Sequence, residues 1–215
     1  SMLFNLIEFA AKLSNYFLIR LIFLITFSFI WFTLIIADIG LYERGKELVE
    51  QKEYQKALKA FELASKTGSL DALTALGVMY IGGIGVEQDN TKGYTYINTA
   101  ANQSDPKAQY TLGALYYLGV GVTKDLNKAF YWLNLASQKG YLDAKYSLGV
   151  MYEFGEGVDQ NNEKAYENFI FAARKGNLES QIKVAEMYKN GIGTEKNLEK
   201  SAYWLDKIEE SNVAN

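Results

Sequence analysis

Hydrophobic and polar positions along the last two thirds of this chain repeat with a period of 36 residues. Leu76-Gly77-Val78-Met79-Tyr80 returns as Leu112-Gly113-Ala114-Leu115-Tyr116, as Leu148-Gly149-Val150-Met151-Tyr152, and more loosely as Val184-Ala185-Glu186-Met187-Tyr188. Within one unit Ala108, Leu112, Gly113 and Tyr116 fall at i, i+4, i+5 and i+8, the stripe of one helix face. A Gly-Val-Gly turn follows at 119–121, and a second helix is predicted from Asn127 to Lys139 with Ala129, Leu133 and Ala136 on its apolar stripe. Gly140 then sits where helices favour a left-handed residue. Ser69, Asp105 and Asn177 are N-cap residues at equivalent starts, and Tyr141 takes that place in the remaining unit. A fixed period of this size predicts a solenoid, whose units bury apolar faces only against their neighbours.

Small residues recur in phase. Ala72, Ala108, Ala144 and Ser180 are equivalent in the first helices, as are Gly77, Gly113, Gly149 and Ala185. A glycine inside a helix costs about 1 kcal/mol relative to alanine, so three of them imply close helix approach.

The motif Ala-x3-Leu-Gly-x-Met-Tyr, followed by Gly-x-Gly-Val, Asp or Asn, Lys-Ala and Trp, resembles the Sel-one-like repeat of the tetratricopeptide superfamily. Residues 143–178 show it well, through Ala144, Leu148-Gly149-Val150-Met151-Tyr152, Gly155-Glu156-Gly157-Val158, Lys164-Ala165, Ala172-Ala173 and Gly176. Asn168 departs from the pattern where Trp132 and Trp204 stand, and Ala185 and Thr194 depart from it in the last unit. The resemblance implies an all-α fold, a right-handed α/α superhelical solenoid of helix-turn-helix repeats over residues 69–209. Residues 38–68 read as a shortened, tetratricopeptide-like capping repeat. Gly45 and Ala57 lie four positions closer than Gly113 and Ala129. Residues 210–215 are expected to be a disordered tail.

The amino-terminal segment follows a different pattern. Leu, Ile and Phe fill 15 of the 20 positions from Phe17 to Ile36, and Arg20 is the one charge among them. About 20 apolar residues span a bilayer, so residues 16–37 are predicted to be a transmembrane anchor. A cleaved signal peptide and a buried core helix are the competing readings. Ile35 at the −3 position argues against the first, and the absence of a polar face argues against the second. Lys12 and Arg20 precede the span whereas Asp38 and Glu43 follow it. That bias places the amino terminus in the cytoplasm and the repeats in the periplasm of an inner membrane. Residues 2–15 read as an amphipathic interfacial helix, and Ser1 as the scar of a removed tag.

Composition narrows the chemistry. Neither cysteine nor histidine occurs, which removes thiol nucleophiles, thiolate metal sites and the commonest general base. Net charge is −3, with no basic balance to attract nucleic acid. The four Gly-x-Gly turns each follow a helix rather than a strand, so they read as turns rather than phosphate cradles. Asp159, Asn161 and Glu163 have only a faint calcium-loop spacing. No cofactor, metal or catalytic residue is expected, and the chain reads as non-enzymatic.

By the resemblance, first helices line a concave face. The candidate protein-binding positions there are Tyr42, Lys46, Thr74, Val78, Ile81, Tyr110, Tyr117, Leu118, Tyr146, Glu153, Phe154, Glu186 and Lys189. Some of these rings would instead pack between units. The expectation is a membrane-anchored adaptor whose groove binds a protein partner. One sharper version is an immunity protein occluding a secreted toxin such as a lipase. Another is a scaffold that recruits a membrane partner through its apolar helix.

Overall fold

A computed structural model describes the backbone of residues 40–213 and the side chains of residues 40–210. Ten helices and no strand make up these residues. They are α1 (40–50), α2 (Tyr54–Lys66), α3 (Leu70–Gly82), α4 (Asn90–Asn102), α5 (Pro106–Leu118), α6 (Leu126–Gln138), α7 (Leu142–Phe154), α8 (Asn162–Arg174), α9 (Leu178–Asn190) and α10 (Leu198–Val213). They pair into five units. From α2 onward each helix packs on the next, and α3 also touches α5 across one unit.

The units are built from repeated local devices. The side chains of Asp89, Asp125 and Asn161 accept the backbone N–H of Lys92, Lys128 and Lys164 at the starts of α4, α6 and α8. Ser69, Asp105 and Asn177 do the same for α3, α5 and α9, each cap contributing about 1 kcal/mol. Tyr141 offers no side-chain cap to α7. The first helices α3, α5, α7 and α9 end on Gly83, Gly119, Gly155 and Gly191 in the left-handed region.

The second glycine of each turn has a packing reason. A Cβ on Gly121 would lie 2.6 Å from the Asn90 carbonyl oxygen, and one on Gly157 would strike the carbonyl of Leu126. Each turn therefore rests on the start of the preceding unit's second helix, which agrees with the turn reading. The mid-helix glycines act likewise: a Cβ on Gly113 would lie 2.8 Å from Leu133 Cγ, and one on Gly149 would lie 2.5 Å from Phe169 Cε1. In the first unit Gly45 meets Phe61 in the same way, across a connection four residues shorter.

The core is a row of interfaces rather than one centre. Ala72, Leu76 and Met79 pack on α2, and Ala108, Leu112 and Leu115 pack on α4. Ala144, Leu148 and Met151 pack on α6, and Val184 and Met187 pack on α8. The recurring tyrosines fasten successive units. Tyr116 meets Tyr94 edge-on with hydroxyls 3.2 Å apart, Tyr152 meets Phe130, and Tyr188 meets Tyr166. Lys92, Lys128, Lys164 and Lys200 hold their ammonium groups 4.1–5.4 Å from the rings of Tyr80, Tyr116, Tyr152 and Tyr188.

The carboxyl-terminal expectation changes. Residues 210–213 continue α10 instead of forming a tail, since neither Gly nor Pro interrupts the chain after Ser201. No helix among the described residues is long and apolar enough to cross a membrane. The anchor expected over 16–37, the interfacial helix over 2–15 and the tag scar at Ser1 all lie outside the described residues.

Candidate functional site

Between α5 and α7 the first-helix face carries a groove of about 280 Å³. Tyr110, Tyr117 and Leu118 line it from α5 and Tyr146 and Val150 from α7, with Ala114 and Ser147 between them. The spacing of 36 residues brings them together, because each position on α5 recurs on α7 one unit away.

The rings are held in place by neighbouring helices and turns. Tyr110 lies 5.0 Å, centroid to centroid, from Tyr141, and burial pushes both phenols above the ordinary tyrosine range. The Tyr117 hydroxyl donates to Glu156 Oε2 at 2.6 Å, which raises the pKa of that phenol. This bond ties α5 to the turn of the following unit. Tyr146 packs on Phe169 in the next core. Contacts with Tyr141, Glu156 and Phe169 therefore hold these rings, and the groove uses their remaining surface.

Leu118 and Phe154 hold equivalent positions and are 65% and 62% exposed. Gly82 and Asn190 stand there in the neighbouring units, so this apolar rim belongs to the middle of the array. Beside Phe154, both carboxylate oxygens of Glu153 accept hydrogen bonds from Lys183 Nζ at 3.0 and 2.9 Å. The same ammonium lies 5.7 Å from the Phe154 ring.

The other candidates lie elsewhere. Thr74 is fully buried, its hydroxyl donating to the Leu70 carbonyl, and a buried side chain has no surface to offer a partner. It is corrected to a packing position. Ile81 is half-buried against the interface of α4 and α5, whereas Val78 is exposed. Tyr42 packs on Phe61 at 5.7 Å. Lys46 lies over the Tyr42 ring and pairs with Glu43, at the far amino-terminal end. Glu186 and Lys189 are exposed on the last unit. The thirteen candidates thus divide into a central set of six around the groove and others along the face or in the core.

Ala114, Ser147, Val150, Glu156 and Lys183 were absent from the sequence-based set. Ala114 and Val150 occupy the repeat position of Val78 and Glu186, and Lys183 occupies that of Ser147, so reading down the columns finds them. Glu156 sits inside a turn, and only its bond to Tyr117 marks it. A wider hollow of about 880 Å³, between the start of α8 and the turn at 191–195, is open and edged by Glu163, Glu167 and Glu195. Asn161, from the calcium-like spacing, is spent there as a helix cap.

Paired helices stacked at a 36-residue period, with an aromatic groove across adjacent first helices, define a repeat scaffold. The chain belongs to the Sel1 repeat family, whose repeats match residues 70–105, 106–141, 142–177 and 178–212. Such repeats serve as protein-interaction modules. The structure is similar to that of an Escherichia coli protein described as a protective antigen of uropathogenic strains displaying an SLR fold. The two are 28% identical with a TM-score of 0.74, covering 81% of this chain and 38% of that one. A Sel1 repeat protein of Oxalobacter formigenes is 34% identical with a TM-score of 0.68, covering 74% and 46% respectively. This chain spans less than half the length of both. A putative Sel1 repeat protein of Klebsiella pneumoniae shares the fold at 21% identity and a TM-score of 0.56, covering 80% and 85%. The sequence matches no curated protein.

Proposed function

We propose that the chain is a non-enzymatic protein-binding scaffold, and that the groove between α5 and α7 captures an extended or helical segment bearing apolar side chains. The observation that carries this is the pair Leu118 and Phe154, solvent-exposed at the rim of an aromatic groove whose walls are already braced by Tyr141, Glu156 and Phe169. Aromatic rings of fixed orientation bind with little further loss of side-chain entropy, which suits a recognition hot spot. The residues lining the groove are phenols, apolar side chains and one serine.

Tethering through residues 16–37 would hold the repeats at an inner membrane, facing the periplasm. That part of the proposal rests on the apolar run and the flanking charges of the sequence. An immunity role follows if the captured segment belongs to a secreted toxin.

The test replaces rim residues rather than braced ones, because truncating Tyr110 or Tyr146 would also loosen the interfaces behind them. Leu118→Asp with Phe154→Ser should abolish capture of the partner from the native envelope while helicity and melting stay unchanged. Capture undiminished by both substitutions overturns the groove. A chain lacking residues 2–37 that still captures the partner assigns recognition to the repeats, and loss of capture assigns it to the apolar segment. Survival of cells challenged with the cognate toxin, with and without the rim substitutions, decides the immunity role.

A further inference from the structure

Many rings of this solenoid carry a cation of their own. Lysines lie over Tyr80, Tyr116, Tyr152 and Tyr188, and the same holds at one end of the groove. There Lys124 lies 5.4 Å from the Tyr117 ring, and Lys183 pairs with Glu153 and lies 5.7 Å from the Phe154 ring. Charge at that end is balanced, since Glu156 and Lys124 meet the same Tyr117.

The other end is different. Tyr110 and Tyr146 line the groove there, and among the described residues no ammonium or guanidinium lies over either ring. Beside them stands a carboxylate in the same condition. Asp143 lies one turn before Tyr146 on α7, is exposed, and has neither an ion pair nor a side-chain hydrogen bond among the described residues. Its place in the first turn of α7 favours the charged form. After burial, that charge helps to hold the Tyr110 and Tyr141 phenols above the ordinary range, so its field reaches the rings. The neighbouring lysines are engaged elsewhere. Lys107 acts on Asp105, Lys139 donates to the Ser104 carbonyl, and Lys145 lies 5.2 Å from the Phe171 ring.

One end of the groove is therefore apolar and neutral, and the other is aromatic and negative. We propose that the captured segment is an extended peptide with an arginine over Tyr110 and Tyr146 beside Asp143, and an apolar side chain at Leu118 and Phe154. A guanidinium suits that end because it is flat and weakly hydrated, stacks on rings, and bonds a carboxylate with two N–H groups at once. The spacing follows from the helices. Tyr110 and Tyr146 lie eight residues before Leu118 and Phe154, roughly 12 Å along the axis. Extended chain covers that in about four residues.

This inference rests on the groove as the binding site, and the experiment separates the two. A displayed library of random ten-residue peptides is selected on the full chain, and the enriched sequences are synthesised. They should carry an arginine about four residues from a large apolar side chain. Leu118→Asp with Phe154→Ser should abolish their binding, read by fluorescence anisotropy. Replacing the arginine by citrulline, which keeps the shape and loses the charge, should weaken binding about tenfold. Asp143→Asn should weaken it about fivefold, and Asp143→Glu should restore most of the loss. Both variants should keep wild-type helicity, because Asp143 is exposed. Groove-dependent peptides without a cation, a citrulline peptide that binds as well, or equal binding to Asp143→Asn would each overturn the inference and leave the groove in place. Peptides indifferent to the rim substitutions would overturn both.

Discussion

Among the described residues α1 and α10 lie at opposite ends of one array, yet they treat their outer faces in opposite ways. At the amino-terminal end Arg44 and Glu47 replace the two apolar residues that each later unit buries there, and they pair with each other in solvent. At the carboxyl-terminal end Leu205 keeps the apolar character of Ile97, Leu133 and Phe169 without their cover. The lesson is energetic. An exposed ion pair is worth about 0–1 kcal/mol, so the head gains solubility rather than stability from it. The tail keeps surface whose burial would be favourable by about 25 cal/mol per Å², and that gain is realised only when something stacks on it.

The largest expected effect separates an inner face from the open one. Phe169→Ala should cost about 3–5 kcal/mol, because a fully buried ring leaves a cavity between two units. Leu205→Ala, at the same repeat position, should cost about 1 kcal/mol or less, because half of that side chain is already in water. Urea unfolding of both variants measures the difference, and equal losses would show that the end face is covered in solution. Next in size is a conversion of the head. Arg44→Leu with Glu47→Met should leave the monomer's stability within about 1 kcal/mol. It should also let heads stack on tails, a heterologous contact that grows open chains. Sedimentation velocity should then show mass rising with concentration, and adding Leu205→Glu should reverse it.

The helix pairs were legible because each is specified twice, once by its own stripe and once by the unit 36 residues away. Predicted bounds for α6 differ from the observed ones by one residue at each end. The turn glycines were legible because a helix precedes each. The groove was legible only in part. Tyr110, Tyr117, Leu118 and Tyr146 could be placed on one face from periodicity. The burial of Thr74 could not, since whether a fifth-position side chain faces solvent or the next unit depends on its size: Thr74 fits beneath, while Tyr110 extends past. The pairings of Tyr117 with Glu156 and of Lys183 with Glu153 cross units at separations of 39 and 30 residues, which a 36-residue repeat does not announce. The unequal ends were hidden for a related reason. Leu205 and Leu133 are the same letter in the same phase, and only their burial in the structure distinguishes them.

A smaller effect is expected where the last unit joins the array. Lys183 occupies the position of Ala75, Thr111 and Ser147, and its bridge to Glu153 is about three-quarters withdrawn from solvent. Lys183→Met leaves that carboxylate without its partner and should cost about 1 kcal/mol, a loss that salt reduces only in part because the pair is partly buried. A variant as stable as wild type at low salt would mean that the apolar contacts of Val184 and Met187 alone hold the last unit. The open end would then be attached as firmly as any inner one.

The smallest effect concerns charge at an inner cap compared with the cap nearest the open end. Asp105 accepts the Ala108 N–H at 2.6 Å, but burial pushes its carboxyl above the ordinary aspartate value and outweighs that bond. A carboxyl that holds its proton more tightly folded than unfolded costs stability while ionised. That cost is fully present above the raised folded pKa and fades as pH falls to the unfolded value near 4. Asn caps as well as Asp and carries no charge, and Asn177 already does so in the last unit. Asp105→Asn should therefore raise the urea midpoint slightly at pH 7, and the advantage over wild type should vanish on acidification below the unfolded value. Asn177→Asp, beside the exposed Leu178, should change less at either pH. If Asp105→Asn instead loses stability at pH 7, the attraction between the carboxylate and the start of α5 exceeds the cost of burying it. Inner and end caps would then obey the same rule.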